Sequence, residues 1–179
     1  MAILKIARMG HPVLRARARP LEPSEIGTPA IQRLIDDMFE TMREYEGIGL
    51  AAPQVHERLR LFVAGIDEPD ATIPLMVMIN PVVEPIGSEV DEDWEGCLSI
   101  PDVRGKVPRA AEIRVTALDR TGRRVVLTGS GFPARVIQHE TDHLDGVLFL
   151  DRMRSFDSLT YLTEYKRHWE ERETAASGT

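Results

Sequence analysis

The segment His139-Glu140-Thr141-Asp142-His143 sets two imidazoles four residues apart. On a helix, positions i and i+4 project from the same face, so both rings can reach one ion there. The spacing therefore predicts a helix, from about Phe132 to Leu144, following the break at Ser130-Gly131. Glu140 is offset around that helix yet close enough to meet a water on the ion. A divalent ion lowers the pKa of such a water toward about 7, and Glu140 can accept its proton and pass it to a leaving nitrogen.

Two histidines leave a catalytic site one protein ligand short, since such sites combine three ligands with an open position. Metzincin peptidases place a third histidine where this chain has Phe149, which excludes that class. Gluzincin peptidases use a downstream glutamate, for which Glu164 is the candidate. Cys97 is the other candidate, in the loop-like stretch Glu95-Gly96-Cys97-Leu98-Ser99-Ile100-Pro101. A thiolate suits a borderline or soft ion, and the ion keeps it deprotonated.

Around this segment the pattern is mixed α+β. The amino terminus alternates like a strand, and His11-Pro12-Val13-Leu14 reads as a turn opening a short helix. Thr28 caps a longer helix that begins at Pro29. Its Ile31, Leu34, Ile35, Met38, Phe39 and Met42 form one apolar face, and Gly47 marks its end. Leu61 to Gly65 and Met76 to Ile79 read as strands, with Pro81 and Pro85 limiting the second. Ile113 to Ala117 and Val125 to Leu127 flank a turn at Asp119-Arg120-Thr121-Gly122, a hairpin signal. A C-terminal helix is expected over residues 155–174, with Phe156, Leu159, Leu162 and Trp169 on one side and a flexible tail at 175–179. The expectation is one domain spanning residues 1–179, with antiparallel sheets packed around the central motif helix, an amino-proximal helix and a C-terminal one.

Composition excludes several classes. The formal net charge is −7, whereas nucleic-acid binding calls for clustered Lys and Arg. No apolar run approaches the roughly 20 residues of a membrane span. The single cysteine, Cys97, rules out an internal disulfide and fits a reducing compartment. The amino terminus lacks the cationic and apolar stretches of a signal peptide. The expected location is a bacterial-type cytoplasm, with no membrane and no nucleic-acid substrate.

Three segments stand in one order: Gly47-Ile48-Gly49-Leu50-Ala51-Ala52-Pro53-Gln54, then Glu95-Gly96-Cys97-Leu98-Ser99, then Gln138-His139-Glu140-Thr141-Asp142-His143. Together they resemble the three signature motifs of peptide deformylases. The likeness runs from His11-Pro12-Val13-Leu14-Arg15 to Asp142-His143-Leu144-Asp145-Gly146-Val147-Leu148-Phe149. It implies removal of the formyl group from N-formylmethionine at the start of nascent polypeptides, with water as co-substrate. By resemblance Cys97, His139 and His143 bind one divalent ion, Glu140 is the acid/base group, and the Gln54 amide and Leu98 N–H receive the oxyanion. The working ion in the family is usually Fe²⁺, and Zn²⁺, Ni²⁺ or Co²⁺ can take its place in a purified sample.

The resemblance further implies that Ile48, Gly49 and Gly96 pair with the extended substrate. Ile48, Phe132, Val136 and the His139 ring are candidates for the methionine pocket. Arg135, where some members carry an aliphatic residue, is expected to lay its stem along the pocket rim or face solvent. Glu95 and Arg109 match a buried ion pair supporting the second motif. Pro53 stands where some members have Thr or Ser. Some members dock on the ribosome through a basic terminal helix, but here the last helix has mixed charge, so its composition gives ribosome contact no support. Two other readings stay open: a gluzincin-like peptidase using Glu164, and a metal-binding module without catalysis.

Overall fold

The Thr28 hydroxyl accepts the Ile31 N–H, and Pro29 sits at the first helical position, so the long amino-proximal helix forms where the sequence places it. In a computed structural model that describes residues 2–67 and 71–170, the helices are α1 (Pro23–Ile26), α2 (Pro29–Glu44), α3 (Gly131–Leu144), α4 (Phe149–Arg152) and α5 (Leu162–His168). The strands are β1 (Gly49–Ala51), β2 (Leu61–Ala64), β3 (Met76–Pro85), β4 (Val90–Cys97), β5 (Ile100–Ala110), β6 (Glu112–Leu118), β7 (Arg124–Ser130) and β8 (Thr160–Tyr161). Two sheets result, ordered β1-β2-β3-β6-β7 and β4-β5-β8. All of the strand pairs are antiparallel. This is the α+β architecture that the sequence implies.

The two long helices lie on opposite faces of the five-stranded sheet, and β2 shows why. Leu61 and Val63 pack with Ile31, Ile35, Met38 and Met42 of α2. Phe62 and Ala64 pack with Ala134, Ile137 and Leu144 of α3. Successive side chains of a strand point to opposite faces, so a fully apolar β2 needs a helix on each side. A third cluster, with Ile100, Val107, Leu148 and Phe149, joins the smaller sheet to α4.

Several expectations need correction. Among the described residues the amino-terminal segment belongs to no strand. Ala7 N–H bonds the Gln54 carbonyl at 2.7 Å and Met9 N–H bonds that of Ser99 at 2.8 Å, one bond to each of two different elements. β3 runs on through Pro81 because its register with β6 shifts between Ile79 and Val82. Asn80 takes a positive φ of 51° there, and its side-chain amide bridges the Leu21 N–H and carbonyl.

Residues 95–101 are not a loop. They form the tip of the β4–β5 hairpin, where Cys97 faces Ile100. The C-terminal helix begins later than residue 155. Thr160 and Tyr161 pair with Arg104 and Val103, which holds the chain extended until α5 begins at Leu162. Phe156 and Leu159 remain exposed instead of lining a helical face. Residues 171–174 and the expected tail at 175–179 lie outside the described residues. No helix among the described residues is long and apolar enough to cross a membrane.

Candidate metal centre

Packing of α3 on the five-stranded sheet points Ala134, Ile137 and Leu144 into the core and leaves His139, Glu140 and His143 on another side of the helix. The two imidazole rings stand edge to face with centroids 5.0 Å apart. The tip of the β4–β5 hairpin brings Cys97 to them, with its Sγ 3.2 Å from His143 Nε2. One donor atom from each of Cys97, His139 and His143 lies within 4.8 Å of the others.

The hairpin is irregular at this point. Glu95 faces Gly105 while Cys97 faces Ile100, so residues 101–104 bulge outward opposite Gly96. Such irregularities re-aim side chains, and here Glu95 and Cys97 both reach α3. Glu95 Oε2 lies 2.8 Å from His139 Nδ1. With Nδ1 engaged by Glu95, His139 turns its other ring nitrogen toward Cys97, and a carboxylate on Nδ1 is usual for a metal-bound histidine.

Charge around these groups fits a cation. Burial opposes the Cys97 thiolate, but His143 and His139 outweigh it and hold the thiol well below its usual pKa. Burial also disfavours a charged His139, yet Cys97 and Glu95 raise its pKa well above normal. A pocket that stabilises a thiolate beside a protonated imidazole is one where a dication can replace that proton. Glu140 is buried and its Oε2 has no hydrogen-bond partner among the described residues. Burial pushes its pKa up to about 7, against the pull of the two histidines. Two imidazoles, one thiolate and a nearby unsatisfied carboxylate fit a three-ligand ion.

Gln54 follows the short strand β1, in a 3-10 turn at Ala52–Val55. It is only 2% exposed. Its Oε1 accepts the Ala51 N–H at 2.8 Å, which turns the side-chain NH₂ toward Ser99 Oγ at 3.3 Å and Cys97 Sγ at 3.5 Å. Leu98 sits in the hairpin turn beside Cys97, and its carbonyl accepts Arg8 Nη1 at 2.8 Å. β1 is an edge strand. The Ile48 carbonyl accepts Gly65 N–H, so by antiparallel alternation the Gly49 N–H and carbonyl face away from β2. A side chain at Gly49 would overlap the Glu140 carboxylate, and one at Gly96 would overlap the Arg104 guanidinium.

Beneath the centre lies a buried ionic cluster. Arg109 donates Nε and Nη2 to the two Glu95 oxygens at 2.8 and 2.9 Å and Nη1 to Asp142 at 2.6 Å. Arg152 binds Asp142 from the outside. The resemblance named the Glu95–Arg109 pair, but the position of Arg135 differs from expectation. Its guanidinium does not face solvent. It is buried and donates to Glu95, to Asp91 and to the Asp93 and Val107 carbonyls. Asp142 and Arg152 were missed by sequence reasoning. Asp142 lies inside the helical motif and carries no spacing signal of its own.

Val136 is buried in the α3 core cluster, whereas Phe132 is 47% exposed. Phe149 is a core residue whose ring stacks beside His139, centroids 6.4 Å apart. Glu164 is on α5, paired with Arg167 and His168 of its own helix. The metal-capable group found among the described residues has Cys97 as its third member and does not include Glu164.

Residues 3–158 match the family model described as polypeptide deformylase. A peptide deformylase of Bordetella pertussis is 45% identical over 161 residues, covering 87% of this chain and 90% of that protein. One from Nitrosomonas europaea is 42% identical over 164 residues, covering 89% and 92%. Among solved structures, a class I type b peptide deformylase from Acinetobacter baumannii bound to Met-Ala-Ser has a TM-score of 0.80 at 39% identity, with 85% of this chain and 99% of that one covered. The Thermotoga maritima enzyme gives 0.79 at 37%, covering 87% and 100%.

Proposed function

Since the chain belongs to the peptide deformylase family, we propose that it hydrolyses the formyl amide of N-formylmethionyl nascent polypeptides, releasing formate. One observation carries the reading: Cys97, His139 and His143 converge while the Glu140 carboxylate is buried beside them with an unsatisfied oxygen. That set can hold a divalent ion, Fe²⁺ in the cell by family likeness, with Zn²⁺, Ni²⁺ or Co²⁺ as substitutes. When bound, the ion supplies Lewis acidity and makes hydroxide available at neutral pH.

The chain's own residues do the rest. Glu140 takes a proton from the attacking water as its oxygen adds to the formyl carbon. The carbonyl oxygen gains negative charge, which the Gln54 NH₂ and the Leu98 N–H receive as hydrogen-bond donors. Glu140 then delivers the proton to the amide nitrogen, the C–N bond breaks, and formate and a free α-amine leave. The outward-facing Gly49 backbone binds the extended peptide as an added strand with Gly96 alongside, whereas Ile48, whose carbonyl is taken by the Gly65 N–H, offers its side chain and not the expected main-chain pairing. Such pairing reads main chain and tolerates many sequences. Phe132 and Val136 remain candidates for the methionine pocket. The Acinetobacter baumannii relative is bound to Met-Ala-Ser, a peptide that such a reaction would leave as product.

The test is formate release from formyl-Met-Ala-Ser by protein loaded with one equivalent of metal, with acetyl-Met-Ala-Ser as control. Formate is expected from the first peptide, and loss of both metal and activity in Cys97→Ala. Metal retained in Cys97→Ala but lost in Glu164→Ala would overturn the ligand assignment in favour of the gluzincin-like reading. Metal-loaded protein that releases no formate would leave a binding module.

A further inference from the structure

The three proposed ligands come from two separate elements, Cys97 from β4 and both histidines from α3. More than 40 residues of chain separate them, so their relative placement depends on non-covalent links between the hairpin and the helix. Arg135 is such a link. It lies one helical turn before His139 on α3 and is 4% exposed. Its Nη1 donates to Glu95 Oε1 at 3.0 Å and to the Val107 carbonyl at 2.6 Å. Its Nη2 donates to the Asp91 carbonyl at 2.9 Å and to Asp91 Oδ2 at 3.1 Å. A longer bond of 3.3 Å reaches the Asp93 carbonyl. One guanidinium thus pins α3 to both strands of the hairpin that carries Cys97.

The Glu95 carboxylate shows why a second arginine matters. A carboxylate offers about four acceptor sites, and here each oxygen receives two groups. Oε2 takes Arg109 Nη2 and His139 Nδ1. Oε1 takes Arg109 Nε and Arg135 Nη1. Arg109 reaches Glu95 across the hairpin, and Arg135 reaches it from the helix that carries His139. With both in place the carboxylate can neither rotate nor slide. Desolvated ion clusters are often no more stabilising than apolar packing of the same volume. A cluster retained directly beneath the ligands is better explained by what it positions.

We propose that Arg135 is a positioning residue for the metal centre, locking Glu95 and β4 onto α3 so that Cys97 and His139 are held in one ion-binding geometry. The proposal rests on the reading of Cys97, His139 and His143 as ligands. Changes in groups that orient metal ligands typically cost about 10- to 100-fold in affinity or activity, and loss of Arg135 is expected to fall in that range.

The experiment uses the full chain loaded with Co²⁺. The visible spectrum and the rate of Co²⁺ transfer to a chelator are measured for wild type, Arg135→Met, Arg135→Lys, Cys97→Ala and Leu144→Ala. Leu144→Ala weakens the α3 core without touching Glu95 and controls for general destabilisation. Arg135→Met is expected to lose Co²⁺ at least tenfold faster than wild type, with shifted visible bands and lower kcat at little-changed KM. Arg135→Lys, which keeps the charge but cannot serve all its acceptors, is expected to fall between them. If Arg135→Met does not fold, the Lys variant decides alone. Transfer rates within about twofold of wild type, or faster by no more than in Leu144→Ala, overturn the proposal. The ligand reading fails separately, if Cys97→Ala keeps the wild-type spectrum.

Discussion

Glu95 Oε2 stands 2.8 Å from His139 Nδ1 while Arg109 grips both oxygens of the same carboxylate. Burial opposes the charge on Glu95, but the hydrogen bonds from Arg109 and His139 outweigh it and lower its pKa to about 2 from 4.5. A carboxyl that binds its proton less readily when folded stabilises the fold above its unfolded pKa. That contribution is lost as pH falls toward the folded value. For the metal-free protein, the urea midpoint should therefore decline between pH 4.5 and about 2. Glu95→Gln, less stable at neutral pH, should show a shallower decline over that window. Parallel declines would show that Glu95 contributes nothing to acid sensitivity.

Arg109 touches both Glu95 and Asp142, and all three side chains are buried. Removing one partner of a buried ion pair costs about 3–5 kcal/mol when the other charge is left uncompensated. Here Arg135 still reaches Glu95 and Arg152 still reaches Asp142, which places the loss at the lower end. Arg109→Met should therefore lower the melting temperature by roughly 6–12 °C, at about 2–4 °C per kcal/mol for a chain of this size. Calorimetry on the metal-free protein checks it, and a drop below about 3 °C would sink the claim.

Gly49 has an ordinary backbone conformation, so Gly49→Ala introduces no φ strain. Its methyl would instead meet the Glu140 carboxylate. The side chain of Glu140 must then swing away, and a displacement of about 1 Å at a reacting group can cost about 10²-fold. The expected result is a kcat lower by that order with metal content unchanged, read by formate release alongside elemental analysis. Full activity in Gly49→Ala would mean that Glu140 does not act from its observed position.

What could be read from the sequence was local. The i, i+4 histidines, the Thr28-Pro29 helix start and the β6–β7 turn at Asp119-Arg120-Thr121-Gly122 each depend on neighbours in the chain, and each stands as expected. The β4–β5 hairpin was missed because Gly96, Pro101 and an irregular register disguise its alternation. The buried position of Arg135 is not legible in the sequence because its partners lie 28 to 44 residues away, and no local pattern distinguishes a buried arginine from a solvated one. Apolar spacing at Phe156, Leu159 and Leu162 suggests a helical face that starts too early. Pairing of Thr160–Tyr161 with β5 overrides that spacing.

Gln54 gives the most direct test of how the oxyanion is received. Its Oε1 is fixed by the Ala51 N–H, so the NH₂ group is aimed toward Cys97 and Ser99 before substrate arrives. Donors set in advance act mainly on the transition state, since the ground-state carbonyl carries less charge. Gln54→Ala should therefore lower kcat by about 10²–10³ while KM changes little. Gln54→Glu should be worse, because it replaces a donor with a carboxylate beside the Cys97 thiolate. Steady-state formate release gives both parameters, and metal content is measured on the same samples, since Gln54 Nε2 also lies 3.5 Å from Cys97 Sγ. A kcat within about threefold of wild type in Gln54→Ala, with metal retained, would remove Gln54 from the oxyanion site and leave the Leu98 N–H as its remaining proposed donor.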